Sequence, residues 1–387
     1  MRVAPNPQKI LITDPHLKGG GQVRYVANLT RELVRNGHHV VLGCKPESIL
    51  VNHAREAGAM VRNGFHFRGG LRPSLWRHDL NELKRFIREE NPDLIHVNGS
   101  QDHWICAVAD RLMGRPVCLV RTRHNTYPVH NLWPNRVLNR DWTDFHVVVC
   151  EEVRARLAEQ PAFQGAPMCT IHNGVDAEMF RPNPGMRRKA RTEFGYCDAD
   201  VVCGIAARLV PDKGHEFLLR AAALLAHRFP RLRILILGEG ALERKLKELV
   251  TELGIASKVD FCGFRGDMAY CTQAFDIGVQ PSIGCDTSSF SLKEQMAAEK
   301  PVIASDYGGL KEIVTDGIEG FVTPAGLVEP LAAALRRLIE NPDLWGPMGT
   351  AGRKRVLRDF TVQVFAARTV EAYCRALEIH RARRERR

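Results

Sequence analysis

Short apolar runs, each followed by a polar turn and then a helical pattern, recur along nearly the whole chain. In the first half they are Lys9–Thr13, His39–Leu42, Asp93–Val97, Val117–Arg121, Phe145–Cys150 and Cys169–Ile171. In the second half they are Val201–Ala206, Ile234–Leu237, Val259–Cys262, Phe275–Val279, Pro301–Ala304 and Gly320–Val322. The runs are continuous and do not alternate apolar with polar, so they read as strands covered on both faces. Amphipathic stretches such as Leu80–Ile87, Trp104–Leu112, Phe217–Ala226 and Leu242–Leu253 lie between them. Strand, helix and strand in this order make parallel, doubly wound α/β units.

A chain of 387 residues is longer than one core usually organises, so two domains are expected. Residues from Val175 to Asp200 break the alternation with prolines, a glycine and charges, and read as the joint. The domains are therefore placed at 1–178 and 179–360. The acids Asp198 and Asp200 precede a strand, where a turn fits better than a metal site. No run approaches a membrane-spanning length, and Met1 to Gln8 lacks an apolar signal region, so a cytoplasmic chain is expected. The 11 cysteines form no Cys-x-x-Cys pair and mostly sit in apolar runs, which points to a reducing compartment and against a zinc or disulfide framework. A formal net charge of +11 calls for an anionic partner.

Gln280–Ser305 carries the densest chemistry. A strand end leads into a small polar turn, then a helical pattern on Phe290, Leu292, Met296 and Ala297, then another strand. The amides of Ser288, Ser289 and Phe290 fall at the helix start, where unpaired N–H groups and the dipole favour an anion. Asp286 and Glu294 flank that start and suit hydrogen bonds from hydroxyl groups. A ligand bearing both sugar hydroxyls and phosphate fits; so does a plain capped helix with a solvated Glu. Arg208 and Lys213 occupy the loop after Val201–Ala206 and can turn together toward a diphosphate. Gly238 and the Gly263-Phe264-Arg265 turn end the two neighbouring strands, so the three loops converge.

In the first half, Gly19, Gly20 and Gly21 follow the first strand. They permit close approach of a ligand or tight helix packing. They do not make the Gly-x-Gly-x-x-Gly fingerprint, and no acid ends the second strand, which argues against a nicotinamide or flavin cofactor. His124 lies beyond the carboxyl end of Val117–Arg121, the edge where ligands of open α/β sheets bind, and reads either as a site residue or as a structural histidine. Arg121, Arg123, Arg136 and Arg140, interleaved with Tyr127, Trp133 and Trp142, read as a basic aromatic surface for an anionic acceptor or an acidic membrane, or as a solvated face. The terminal RARRERR reads as a solvated end or, with Arg381, Arg383, Arg384, Arg386 and Arg387, as further membrane cations.

Taken in order, Gly19-Gly20-Gly21, HNGVD at His172–Asp176 with Phe180, ARLVPDKG at Ala207–Gly214 and DTSSFSLKEQMA at Asp286–Ala297 resemble the retaining GT-B glycosyltransferases of family 4. The resemblance spans nearly the whole chain. It implies two Rossmann-like domains facing a cleft, with a last helix, about 361–387, crossing back to the first. It gives Arg208 and Lys213 to the diphosphate of the sugar donor, Asp286 to the donor sugar, Glu294 to the ribose and His124 to the first domain's side of the sugar. The first acid of the family's pair is usually Glu; Asp286 is one methylene shorter.

The resulting expectation is a metal-independent transferase moving a sugar from a nucleotide-sugar co-substrate to a hydroxyl of an anionic glycan or glycolipid. Lipopolysaccharide or other bacterial surface polysaccharide synthesis at the cytoplasmic face of the inner membrane is the expected setting. Asp286, Glu294 and His124 are the expected catalytic residues. Gly20, Gly21, Arg208, Lys213, Gly238, Phe264, Ser288, Ser289, Phe290 and Glu294 are expected to hold the donor. The competing readings are a nucleotide-sugar epimerase of the same fold and a nucleic-acid-binding protein; scattered basic residues speak against the second.

Overall fold

The computed structural model describes residues 7–70 and 72–386, so Arg387 of the basic tail lies outside the described residues. The chain forms two compact units: one ends at Gly174 and resumes at Val362, the other is Val175–Thr361. The boundary falls inside HNGVD, between its glycine and valine.

The first unit holds β1 (Lys9–Thr13), β2 (His39–Gly43), β3 (Met60–Arg62), β4 (Leu94–Val97), β5 (Cys118–Arg123), β6 (Phe145–Val148) and β7 (Met168–Thr170). They form one parallel sheet in the order β3-β2-β1-β4-β5-β6-β7. The second unit holds β8 (Val201–Ala206), β9 (Leu232–Leu237), β10 (Val259–Phe261), β11 (Ile277–Gln280), β12 (Val302–Ser305) and β13 (Gly320–Thr323). Its parallel order is β10-β9-β8-β11-β12-β13. Strand order reverses between β1 and β4 in one sheet and between β8 and β11 in the other. Beside such a reversal the loops diverge to opposite faces and leave a crevice at the carboxyl ends of the strands.

The apolar runs are buried on both faces as their composition requires. In the first unit Leu11, Val41, Ile95 and Leu119 pack with Leu83, Phe86, Ile87 and Ile105. In the second Ile205, Ile234, Ile236, Val279 and Ile303 pack with Leu218, Leu219, Leu335 and Leu338. Several elements depart from the sequence reading, among them the following. β3 is a short edge strand with two of its three residues exposed, so it lacks the apolar run that marks the others. Leu50–Glu56 is a short helix. Within the expected joint, Pro184–Glu193 is a helix; Asn183 caps it by accepting from the Met186 N–H, and its Arg187 and Arg191 grip the buried Asp276 carboxylate.

The last helix, Val362–Glu385, belongs to the first unit. Two buried polar contacts fix it there. The Tyr373 hydroxyl meets His96 Nδ1 at 2.7 Å, and His380 Nδ1 meets Asp144 Oδ2 at 2.9 Å. Asp144 also receives Arg115 and the Leu119 N–H. Burial pushes its carboxyl up, yet these partners outweigh that and hold it below its ordinary value. Arg383, expected as a free basic tail residue, instead donates to the carbonyls of Thr143 and Arg140. Asp144→Ala, by leaving the buried Arg115 with only the Asp110 carboxylate at 3.8 Å, is expected to cost about 3–5 kcal/mol. Hydrogen exchange of the Val362–Glu385 amides, compared with those of the second sheet, reads the loss; unchanged protection would remove Asp144 as the anchor. Because the carboxyl is held low, its contribution is present at neutral pH and fades as pH falls through the carboxylate range.

Candidate functional site

In the second unit, three loops lock together at the carboxyl edge of the sheet. After β8 the chain passes an exposed Arg208, makes the turn Pro211–Lys213, and enters the helix His215–Ala226 through Gly214 at φ +69°. A Cβ on Gly214 would stand 1.9 Å from the Pro281 carbonyl oxygen, so the loops after β8 and β11 touch backbone to backbone. Gly238, at φ +140°, lies equally close to Ala207: its Cβ would come 2.1 Å from that carbonyl. Only glycine combines such φ values with such approaches. Ile283 and Gly284 N–H groups donate to the Asp212 carbonyl, and Leu209 N–H to that of Glu239, completing the lock.

This lock brings Lys213 to Asp286. The ammonium donates to Asp286 Oδ2 at 2.9 Å, and the Gln280 amide and Ser282 hydroxyl donate to the same oxygen at 2.9 and 2.8 Å. Asp286 is buried, and three protein donors commit one of its oxygens. Cys285 just before it takes φ +38°, a left-handed conformation costly for a non-glycine residue. The helix Phe290–Ala297 begins where expected, with the Ser289 hydroxyl accepting from the Leu292 N–H. Ser288, Ser289, Phe290 and Glu294 are all buried, while Phe264 is 73% exposed beyond β10. Lys293, beside Glu294, is wholly buried; its ammonium donates to Ser288 Oγ at 2.7 Å and stands 4.9 Å from the Phe360 ring centre. The sequence reading missed Lys293, which shares its helix with the polar Ser291, Glu294 and Gln295 and so does not stand out.

In the first unit, β5 extends to Arg123, so His124 follows the strand directly. His124 Nε2 meets Asn98 Oδ1 at 3.0 Å, and its ring stands edge-on to Tyr25 at 4.6 Å. Burial, reinforced by the Arg121 charge, pushes its pKa well down, so it works as a neutral imidazole. Arg121 and Arg123 are 4% and 8% exposed, which corrects their expected place on a surface. They point inward from a strand covered on both faces: Arg121 donates to the Gly99 carbonyl and Arg123 to that of Tyr127. Trp133, Leu132 and Tyr127 are 75%, 60% and 59% exposed, and Arg136 and Arg140 are exposed beside them in sequence. Gly20 and Gly21 open the helix Gly21–Arg35, and a Cβ on either would meet nothing within 4 Å. Asp14, His16 and Gln22, which join Asn98 in one hydrogen-bonded group, were not singled out from sequence.

Comparison with known families decides what this arrangement is. Residues 19–179 match the profile of Glycosyltransferase Family 4, and residues 187–355 match that of Glycosyl transferases group 1. The chain belongs to the family 4 glycosyltransferases. As a family 4 glycosyltransferase it is 35% identical over 234 residues to EpsD of Bacillus subtilis, which carries the name of a glycosyltransferase; the match spans 59% of each chain. It is 28% identical over 303 residues, 75% of this chain and 77% of the relative, to a GDP-mannose-dependent alpha-(1-6)-phosphatidylinositol monomannoside mannosyltransferase of Mycobacterium tuberculosis. Among solved structures, a glycosyltransferase from Rickettsia africae superposes with a TM-score of 0.87 at 22% identity, covering 96% of this chain and 99% of that one. Anabaena HepE in complex with UDP superposes at 0.81 and 22% identity, covering 94% and 98%. These likenesses establish the GT-B fold for this family 4 glycosyltransferase.

Proposed function

We propose that the chain transfers a sugar, with retention at the anomeric carbon, from a nucleoside-diphosphate sugar to a hydroxyl of a glycan or glycolipid acceptor. The observation that carries this is the seating of Lys213 on Asp286, just ahead of the Ser288–Phe290 helix start, at the strand-order reversal of the second sheet. Preorganised positive charge there stabilises the departing diphosphate without reorganisation. Lys213 carries a point charge whose position Asp286 fixes, and Arg208, standing in the open, offers a planar fork. Glu294 takes the ribose and the remaining oxygen of Asp286 the donor sugar. Phe264, exposed beyond β10, offers a face for the base. UDP and GDP-mannose appear in the names of the neighbours above, so both nucleotides are to be screened by thermal shift and by hydrolysis of their sugars.

Lys213→Ala is expected to weaken nucleoside diphosphate binding by about 1.5–3 kcal/mol, the range for hydrogen bonds to charged groups. Asp286→Asn, which removes the ion pair but keeps the ammonium, is the control and should lose much less affinity. Equal UDP and GDP affinities in wild type and Lys213→Ala would remove the phosphate assignment.

With two cations and a helix start at the diphosphate, the reaction is proposed to need no metal. Turnover of the nucleotide sugar should survive exhaustive chelation; loss with EDTA and return with magnesium or manganese would refute this point.

The acceptor is proposed to be anionic or membrane-borne, as in lipopolysaccharide synthesis, with the protein resting on the cytoplasmic face of the inner membrane. No helix among the described residues is long and apolar enough to cross a membrane. Exposed Trp133, Leu132, Arg136 and Arg140 suit an interface instead, each engaged cation adding about 1 kcal/mol on acidic lipid. Vesicles rich in anionic lipid should co-sediment the protein more strongly than neutral ones, and Trp133→Ala should weaken that binding. Equal binding to both vesicle types would argue for a merely solvated face.

A further inference from the structure

The loop after β3 and the helix Pro73–Glu90 bring two histidines and a carboxylate together. Residues 65–67 read Phe-His-Phe. Phe65 and Phe67 are buried in the core of the first unit and stacked, with ring centres 4.8 Å apart. His66, between them, is left half-buried. Asp79, on the helix, is buried and pins this loop: its Oδ1 accepts from the His66 N–H and its Oδ2 from the Phe67 N–H, both at 2.9 Å. His78, its neighbour on the helix, is exposed, and its ring centre stands 4.9 Å from that of His66. One ring nitrogen of each histidine and one Asp79 oxygen all lie within 4.8 Å of one another.

We propose that His66, His78 and Asp79 form a binding site for a divalent transition-metal ion of the zinc class. Two imidazoles and a carboxylate are donors that suit zinc, and three protein ligands leave a fourth tetrahedral position to water. The ligands are already oriented from behind. His78 Nε2 lies 3.1 Å from the Gly64 carbonyl, which can only accept, so Nε2 carries the ring proton and Nδ1 keeps its lone pair. Metal-binding histidines are held by a carbonyl in just this way, and ligating carboxylates by hydrogen bonds, as the two loop amides hold Asp79. Each Asp79 oxygen accepts one of those bonds and keeps a second lone pair. Donor atoms about 2.0–2.2 Å from a tetrahedral zinc stand roughly 3.3 Å apart, and rotation of the exposed His78 side chain supplies the closure.

A second group, Cys118, Asp144 and His380, has comparable spacing, but it is buried, and Arg115 and Arg383 already occupy its carboxylate. The His66 group opens to solvent on the His78 side, so an ion can enter. Bound there, it ties the loop after β3 to the helix at the carboxyl edge of the first sheet. The site is independent of the transferase reading. It lies in the first unit, whereas the metal independence proposed above concerns the diphosphate in the second.

Titration of the untagged full chain, stripped of metal, with zinc and separately with cobalt tests the site. Zinc should bind as a single tight equivalent and raise the melting temperature by mass action. Cobalt should give visible d–d bands without a thiolate-to-metal band, since no cysteine is a ligand. Magnesium, which prefers six oxygen ligands, should displace neither ion. His66→Gln and His78→Gln should each weaken zinc binding by at least about 10–100-fold, the loss that follows removal of a mere supporting partner. Both variants keep Asp79 and its loop amides, so their melting curves without metal should match that of the wild type. Equal zinc affinity in the wild type and both variants overturns the proposal. So does absence of binding at millimolar zinc, or a thiolate band with cobalt.

Discussion

The close backbone approach of the loops after β8, β9 and β11 is the constraint on which the second unit's site depends. Where Gly214 meets the Pro281 carbonyl and Gly238 that of Ala207, there is no room for a side-chain atom. The contact removes freedom that each loop would otherwise keep, and the cost of ordering them is met during folding and not when a ligand arrives. Lys213 and Asp286, 73 residues apart, reach hydrogen-bond distance because of it. A site organised in this way can stabilise a departing anion with dipoles and charges already in place.

The first unit solves a different problem. Its inward strand faces carry polar groups that a parallel sheet normally excludes: His96, Arg121, Thr122 and His146 are all buried. Each finds partners, as where His96 bridges the Tyr373 hydroxyl and Thr122 Oγ1. Burial drives the His96 pKa down to about 3 and that of His146 to about 4, so both are neutral hydrogen-bonding groups and not charges. Asp102, in contact with Thr13 and the Asn98 and Gly99 N–H groups, has its pKa raised to about 6 by the same burial. These bonds hold the side chains in place although Asp102 Oδ1, Arg121 Nε and His146 Nδ1 have no hydrogen-bond partner among the described residues, and the Asp14–His16 group adjoins them through Gln22 and Asn98.

Much of the fold was legible because its signal is local. A buried parallel strand must be apolar throughout, so β1 and β8 lie where their apolar runs do, at Lys9–Thr13 and Val201–Ala206. β3 was not legible, since an exposed edge strand carries no such run. The helix Pro184–Glu193 was hidden by its low apolar content; charge pairing with Asp276 holds it, and that partner is distant in sequence. In the candidate site, Arg208, Lys213, Asp286 and Glu294 could be proposed from spacing and residue type. The hydrogen-bonded group of Asp14, His16, Gln22 and Asn98 could not be read, since Asn98 comes to it only through the packing of β4 beside β1.

The sequence by itself determined the two doubly wound halves, the strand ends that carry polar loops and the residue types able to hold a sugar nucleotide, because hydrophobic period and glycine-bearing turns act over a few neighbouring residues. Tertiary structure decided direction and partnership. It turned Arg121 and Arg123 inward, since β5 is covered on both faces. It tied Arg383 to the Thr143 carbonyl and Lys213 to Asp286. Whether a charge faces water or a carboxylate depends on strand order and loop packing, which chain-distant contacts fix and local composition does not.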